Sequence, residues 1–286
     1  MSKVLILGFQ GTLGRALVKE FAGSGIYEVT AWDRGDLDIT DNVHLKEKIS
    51  LLKPEIIINA AAYNEVDKIE ADPAIFEMAQ KINGEAVGDL AKIAKDLGAI
   101  FVHYSSDHVF DGSKEGYAEN DVPAPINKYG QTKLLGEKLL QESGDKFFLI
   151  RLSKLFSGTP AVEGTKKSFV EKMLDLYNQG QREFNMVDEE LSSSTYAPDL
   201  VKFTRELIES GKPWGIYHGA NFGACTWYEL AKKIFAIKKY DVCLLPISSV
   251  EYPRPALRPH QSILLNTKMP LARPWQEALK EALSNL

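Results

Sequence analysis

Lys3-Val4-Leu5-Ile6-Leu7-Gly8-Phe9-Gln10-Gly11-Thr12-Leu13-Gly14 is the stretch that decides the fold. A short apolar run leads into three glycines at Gly-x-x-Gly-x-x-Gly spacing, and a helical run follows from Arg15 to Phe21. A glycine-rich turn between a strand and a helix is the setting a dinucleotide-binding unit needs. Gly8 permits the tight turn, Gly11 lets backbone approach a pyrophosphate, and Gly14 lets the helix pack on the sheet. The helix N-terminus then presents unpaired N–H groups to phosphate. A bare glycine triplet carries little weight. Its place directly after an apolar strand favours cofactor binding over a plain structural turn.

Working outward, a second strand from Glu28 to Trp32 ends in Asp33-Arg34. An acidic residue about 20 positions past the glycines accepts hydrogen bonds from the adenosine ribose, which favours NAD. Arg34 beside it would instead pair with a 2′-phosphate, so NADPH and NADH both stay open. Asn42 to Lys53 reads as a helix ended by Pro54, and Ile56 to Asn59 as a third strand running into Ala60-Ala61-Ala62. Small residues just past a strand's carboxyl end leave room for a flat ligand. Polar Tyr63, Asn64, Glu65, Asp67 and Lys68 follow, then Asp72-Pro73 as a cap opening one long helix to about Leu97. Ile100 to His103 is a fourth strand, delivering the hydroxyls of Tyr104-Ser105-Ser106, then Asp107 and His108, at another carboxyl end. Gly112 to Ile126 is a turn-rich loop, and Phe147 to Arg151 a fifth strand. Alternating strand and helix imply an α/β fold, a doubly wound parallel sheet of Rossmann type.

After Arg151 the pattern loosens: a mobile connection over Ser153–Lys167, a helix over Ser168–Asn178, an irregular stretch from Met186 to Ser194. Helices are expected over Ala197–Glu209, from the Thr226-Trp227-Tyr228-Glu229 capping box to Ile237, and from about Trp275, with a strand near Gly215–Gly219. The expected division is a dinucleotide-binding domain, 1–151, and a smaller C-terminal substrate-binding region, 152–286, some of whose elements return to the first domain.

Composition narrows the function. At 286 residues, 44% hydrophobic and 26% charged, the chain is an ordinary soluble globular protein. Its 34 basic against 39 acidic residues give −5, no reason to expect nucleic acid or an anionic membrane as partner. Val4 to Leu7 is too short for a signal or membrane segment, and Cys225 and Cys243 read as reduced thiols, so a cytoplasmic protein is expected. The five histidines form no ligand cluster, and no metal is expected.

Asn127-Lys128-Tyr129-Gly130-Gln131-Thr132-Lys133 opens a helix that runs to Leu140. Tyr129 and Lys133, four residues apart, project from one face. An ammonium beside a phenol favours the phenolate and lowers its pKa, so the pair can move a proton to an oxygen becoming an alkoxide. Arg254 and Arg258, stiffened by neighbouring prolines, are candidates for gripping phosphate.

Together, Gly8-x-x-Gly11-x-x-Gly14, Asn59-Ala60-Ala61-Ala62-Tyr63, Tyr104-Ser105-Ser106-Asp107-x-Val109-Phe110-Asp111-Gly112, Asn127-x-Tyr129-Gly130-x-x-Lys133 and the Arg254–Thr267 segment resemble the dTDP-4-dehydrorhamnose reductase family of the extended short-chain dehydrogenases/reductases. The resemblance spans nearly the whole chain. It implies reduction, by NADPH or NADH, of the 4-keto group of a dTDP-linked deoxysugar, with a nucleotide sugar as partner and room for a homodimer. It implies Tyr129 as proton donor, Lys133 as holder of the nicotinamide ribose, and Ser106 as a second donor to the keto oxygen. Gly8, Gln10, Gly11, Thr12, Leu13, Gly14, Asp33, Arg34, Asp38, Ile39, Ala60, Ala61, Ala62, Tyr63 and Asn64 would line the cofactor. Ser106, Asp107, His108, Lys154, Arg254 and Arg258 would meet the substrate. His108, Lys154 and Asn64 depart from the family's usual tyrosine, tryptophan and threonine, which bears on the sugar more than on the redox step. The competing readings are a nucleotide-sugar epimerase of the same superfamily and a non-catalytic dinucleotide-binding subunit. The intact Tyr129, Lys133 and Ser106 favour catalysis.

Overall fold

The computed structural model describes all residues 1–286. The first half runs β1 (Ser2–Leu7), α1 (Thr12–Gly23), β2 (Tyr27–Trp32), α2 (Asn42–Leu52), β3 (Ile56–Asn59), α3 (Val66–Ala71), α4 (Pro73–Gln80), α5 (Ala86–Leu97), β4 (Ile100–Ser106), α6 (Lys128–Ser143) and β5 (Phe147–Leu152). The second runs β6 (Leu155–Phe156), α7 (Phe169–Asn178), β7 (Glu183–Val187), β8 (Leu191–Ser193), β9 (Thr195–Tyr196), α8 (Ala197–Glu209), β10 (Gly215–His218), β11 (Ala224–Cys225), α9 (Trp227–Lys238), β12 (Cys243–Ile247), β13 (Gln261–Ser262) and α10 (Trp275–Ser284).

Six strands form one parallel sheet in the order β10-β5-β4-β3-β1-β2. Its apolar runs are continuous because both faces are covered. Val4, Ile6, Ile58, Val102 and Ile150 pack under α1 and α8, while Leu5, Leu7, Ile57, Phe101 and Leu149 pack under α2 and α5. The strand order reverses between β1 and β3, so the carboxyl ends of these strands open a crevice on one edge. A third core, built from α7, α9 and α10 around Phe156, Phe184, Leu230, Phe235 and Trp275, makes the C-terminal lobe. Two elements of the second half, α8 and β10, belong to the large sheet and its covering layer.

One stretch goes beyond the sequence reading and two differ from it. The polar run after Ala62 contains a short helix, α3, with Ile69 fully buried beneath it. The long helix expected from Pro73 to Leu97 is interrupted by a π turn at Lys81–Glu85. There Asn83 turns inward, accepting the Tyr63 N–H at 2.9 Å and donating to the Tyr63 carbonyl at 2.8 Å and to Thr132 Oγ at 3.0 Å. A widened turn re-aims one side chain without ending the helix. The stretch expected to be irregular, Met186 to Ser194, holds the end of β7 and all of β8; β7 pairs with β12 in parallel, and β8 pairs with β11 and β13.

A buried ion pair fixes α6 on the sheet. Arg151 on β5 donates to both carboxylate oxygens of Glu137, at 2.9 and 2.7 Å, and both side chains are essentially inaccessible. The guanidinium also donates to the Glu119 carbonyl at 3.3 Å and lies over the Phe110 ring. Glu119 in turn accepts from Thr267 Oγ at 2.6 Å, tying in the C-terminal segment. Removing one partner of such a pair strands a buried charge, which costs about 3–5 kcal/mol. Glu137→Ala is therefore expected to lower the urea stability by about that amount; a loss below about 1 kcal/mol, as for an exposed pair, would show that the pair does not hold α6.

Candidate active site

Asn127 starts α6. Its side chain accepts the Gly130 N–H at 2.8 Å and donates to the Leu257 carbonyl at 2.8 Å, so the cap also anchors the Arg254–Arg258 segment. Gly130 is required here, because a Cβ would lie 2.1 Å from the His108 carbonyl oxygen. This close approach puts Tyr129 against the end of β4, its ring edge-on to His108 with centroids 5.4 Å apart. Tyr129 stays partly open to the cleft, yet the protein packed around it pushes its phenol up to about 12; the nearby Ser106 hydroxyl pulls the other way and the Asp107 charge adds to the rise.

Lys133, one turn on, is almost fully buried. Its Nζ donates to the Tyr104 carbonyl at 2.7 Å and lies 3.3 Å from His103 Nε2. Burial pushes it down to about 8, against the pull of the Glu137 carboxylate. The helical spacing led us to expect Lys133 to lower the phenol's pKa. The phenol instead lies above its ordinary value, because desolvation dominates and the amine is engaged elsewhere.

Ser106 ends β4. Its Oγ accepts the His108 N–H at 3.2 Å and donates to Asp107 Oδ1 at 3.1 Å. Asp107 is buried, and its other oxygen accepts from Ser153 at 2.6 Å and Ser262 at 2.7 Å. Hydroxyls from three segments thus compensate a carboxylate that would otherwise be costly to bury. Burial pushes the His108 imidazole below its ordinary pKa, with Asp107 opposing.

A cleft of about 630 Å³ joins these groups to the glycine turn. Gly11, Thr12 and Leu13 line it, as do Ala60, Ala61, Ala62, Asn64, Ser106, Asp107, His108, Tyr129, Lys133, Lys154 and Arg258. The remaining expected residues sit behind or beside it. Gly8 has φ +79°, and a Cβ there would lie 2.7 Å from the Ala61 nitrogen. A Cβ on Gly14 would lie 2.1 Å from the Gly8 carbonyl oxygen. Asp33 closes the turn from the end of β2: its oxygens accept the Gln10 N–H at 2.8 Å and the Arg34 N–H at 2.7 Å. A carboxylate accepts about four hydrogen bonds, so capacity remains for ribose hydroxyls. Arg34 is exposed beside it. Asp38 is held by Thr40, which lowers its pKa, and Ile39 is part of the core under the sheet. Tyr63 is clamped through its backbone by Asn83.

The two arginines pair with different carboxylates. Arg258 lines the cleft while holding Asp67 through two bonds, at 3.0 and 2.8 Å. Arg254 lies off the cleft lining, its guanidinium gripped by Glu190. Lys154 lines the cleft in a left-handed conformation, φ 40°, with Nζ donating to the Glu190 and Cys225 carbonyls 4.8 Å from the centre of the Trp227 ring. Burial lowers its pKa.

Sequence reasoning missed several lining residues. Thr165, Lys166, Ser168 and Phe169 come from the connection expected to be mobile and its junction with α7. That connection is tethered to the first half of the chain at two points: Arg15 donates to the Pro160 carbonyl at 2.7 Å, and Lys166 to the Asn64 carbonyl at 2.9 Å. No local pattern signals such long-range bonds. Trp227 was legible only as a position inside a capping box. No cluster of three or more His, Cys, Asp or Glu side chains comes together, and no helix is long and apolar enough to cross a membrane.

The residues present fit a dinucleotide. A Cβ added to Gly11 would meet nothing closer than 3.5 Å, so the fold itself has no need of glycine there. The bare backbone faces open cleft at the N-terminus of α1, where no side chain caps the first N–H groups.

A parallel doubly wound sheet, with a glycine turn and a Tyr-x-x-x-Lys helix meeting in one cleft, defines a Rossmann-type oxidoreductase of the short-chain dehydrogenase/reductase kind. The chain belongs to the family described as RmlD substrate binding domain, which matches residues 2–286. It is 34% identical to a dTDP-4-dehydrorhamnose reductase of Escherichia coli over 303 aligned positions, covering 99% of this chain and 97% of that one. It is 33% identical to the spore coat polysaccharide biosynthesis protein SpsK of Bacillus subtilis, over 99% of this chain and 97% of the relative. The structure of a dTDP-4-dehydrorhamnose reductase from Bacillus anthracis in complex with NADP superposes with a TM-score of 0.93 at 33% identity, covering 100% of both chains.

The glycines separate two roles. Gly14→Ala should cost about 1–3 kcal/mol in unfolding free energy by overpacking. Gly11→Ala should leave unfolding unchanged while weakening NADPH binding about tenfold or more, ~1.4 kcal/mol, in a fluorescence titration. Equal cofactor affinity in Gly11→Ala and wild type would place the pyrophosphate elsewhere.

Proposed function

We propose that this chain reduces the 4-keto group of a dTDP-linked deoxysugar with NADPH or NADH, taking dTDP-4-dehydro-L-rhamnose to dTDP-L-rhamnose for polysaccharide synthesis. The observation that carries this reading is the convergence of Tyr129, Ser106 and Lys133 with the glycine turn on one cleft. The full-length likeness to curated reductases supports the choice of substrate.

In this reading Gly11, Thr12, Leu13 and Ala60 to Asn64 hold the dinucleotide, and Asp33 meets its adenosine ribose. When bound, the reduced nicotinamide supplies the hydride that adds to the carbonyl carbon. That addition builds negative charge on the carbonyl oxygen, and positioned O–H donors stabilise it. Tyr129 gives its proton to this oxygen. A phenol pushed up to about 12 stays protonated through the neutral range, so the acid is loaded before reaction. The resulting alkoxide is a much stronger base than a phenolate, so the transfer runs downhill. Ser106 supplies the second donor by rotating its hydroxyl away from Asp107. Asp107, pinned by Ser153 and Ser262, fixes where Ser106 sits. Residues 152–286, apart from α8 and β10, form the substrate side: Arg258 lies close enough to meet a phosphate, and Trp227 and Lys154 border the sugar. The reaction is assigned to the cytoplasm, where nucleotide sugars and reduced cofactor are both available, and a homodimer is compatible with it.

Tyr129→Phe keeps the ring and removes the proton. It is expected to bind NADPH like wild type and to lower turnover of dTDP-4-dehydro-L-rhamnose by about 10²-fold or more, the scale of losing a general acid. A variant turning over at the wild-type rate would remove Tyr129 from the mechanism.

A further inference from the structure

One cation in the cleft is held entirely by neutral groups. Lys154, between β5 and β6, is half-buried and lines the cleft. Its Nζ donates to the Cys225 carbonyl and, at 3.3 Å, to the Glu190 carbonyl, and lies 4.8 Å from the centre of the Trp227 ring. Two carbonyls and an indole face hold an ammonium in place without cancelling its charge. A lysine nitrogen carries three N–H donors, so one remains beyond the two that the carbonyls take. The cage is itself braced: Trp227 Nε1 donates to Glu190 Oε2 at 3.1 Å, and Arg254 grips the Glu190 carboxylate. The backbone gives a second, independent sign. Lys154 has φ 40°, in the left-handed region that glycine or asparagine occupies at less cost. Side chains kept in such conformations gather at functional sites.

We propose that Lys154 determines sugar specificity, donating its remaining N–H to a ring hydroxyl and selecting substrates that carry one there. The proposal deepens the reductase reading above and rests on it. The spread of charge along the cleft says which part of a nucleotide sugar Lys154 meets. Asp107, Glu190 and Glu229 all act on it by charge. A diphosphate brought among three carboxylates is repelled, whereas an uncharged hydroxyl is not. Elsewhere in the cleft the neighbours are basic. Lys166 pairs with Glu65 but also feels Lys172 and Arg258, and all three cations line the cleft. That end suits the diphosphate.

Lys154 also starts beside the reacting groups. The hydroxyl of its neighbour Ser153 donates to Asp107 Oδ2 at 2.6 Å, and Asp107 Oδ1 accepts from Ser106 at 3.1 Å. The lysine therefore leaves the chain one residue from the group that sets Ser106, and its nitrogen reaches across to Glu190 and Cys225. An apolar side chain of the same length would pack on a sugar ring without reading its oxygens. A positioned donor rejects an analogue that lacks the hydroxyl, because binding it leaves the donor unpaired.

Two analogues of dTDP-4-dehydro-L-rhamnose, one lacking the C2 hydroxyl and one the C3 hydroxyl, test this on the wild type and on Lys154→Met. The wild type should reduce at least one analogue with a kcat/KM about tenfold or more below that of the parent, the scale of one hydrogen bond to a charged group. Lys154→Met should reduce the parent about as poorly as that analogue and no longer distinguish the two, while binding NADPH and dTDP like wild type. Equal wild-type rates on all three sugars, or a preference that Lys154→Met keeps, overturns the proposal. So does a loss of dTDP affinity in Lys154→Met as large as its loss for dTDP-L-rhamnose, which would place the lysine on the diphosphate. If the variant does not fold, the wild-type comparison of the three sugars decides. Reduction of the parent without discrimination by Lys154 sinks this role and leaves the function standing; no reduction of the parent by wild type sinks the function itself.

Discussion

The site depends on one constraint: α6 must sit at a fixed height over the sheet, and the buried pair between Arg151 and Glu137 sets it. Two bonds, at 2.9 and 2.7 Å, join the middle of the helix to β5 in a place water does not reach. From the same guanidinium, contacts extend to the Glu119 carbonyl, the Phe110 ring and His218 on β10. A buried pair of this kind is weak evidence for stability, since well-packed apolar residues often do as well. Its forked geometry does define register, because two parallel bonds allow neither rotation nor a slip of one residue. Glu137 lies one turn after Lys133 and two after Tyr129, so fixing it fixes both.

Around that helix the chemistry is assembled from strand ends. The glycine turn follows β1, the small alanines follow β3, and Ser106 and Asp107 follow β4. Each arrives at the same edge because parallel strands all point one way. The C-terminal lobe then closes the other side of the cleft through α7, α9 and the Arg254–Arg258 segment. Its anchors are polar: Asn127 to the Leu257 carbonyl, Arg258 to Asp67 and Lys166 to the Asn64 carbonyl. Such bonds can break and reform as a ligand enters, which a packed apolar interface does not readily allow.

Much of this architecture was legible in the order of residues. The strands of the large sheet announce themselves as continuous apolar runs, and Asp72-Pro73 and Asn127 mark helix starts by their caps. What escaped has physical reasons. β7, β8 and β12 are short and pair with distant segments, so no local period marks them. The π turn at Lys81–Glu85 follows from a tertiary demand on Asn83, invisible from helix propensity. At the site, helical spacing correctly put Tyr129 and Lys133 on one face. It could not reveal that His103 and the Tyr104 carbonyl compete for the amine. Likewise two arginines in one stiff segment read as a clamp, but the sequence could not reveal that Glu190 and Asp67, from elsewhere in the chain, pair with them.

The decisive measurement is where a deuterium goes. Incubating the protein with dTDP-4-dehydro-L-rhamnose and NADPH carrying deuterium at both C4 positions of the nicotinamide, then reading the product by NMR, follows the hydride itself. A reductase built as described here delivers one deuterium to C4 of the sugar from one face of the nicotinamide, with one NADPH consumed per product. Product formed without deuterium at C4, or no oxidation of the cofactor although both ligands bind, would contradict the assignment of this cleft to carbonyl reduction.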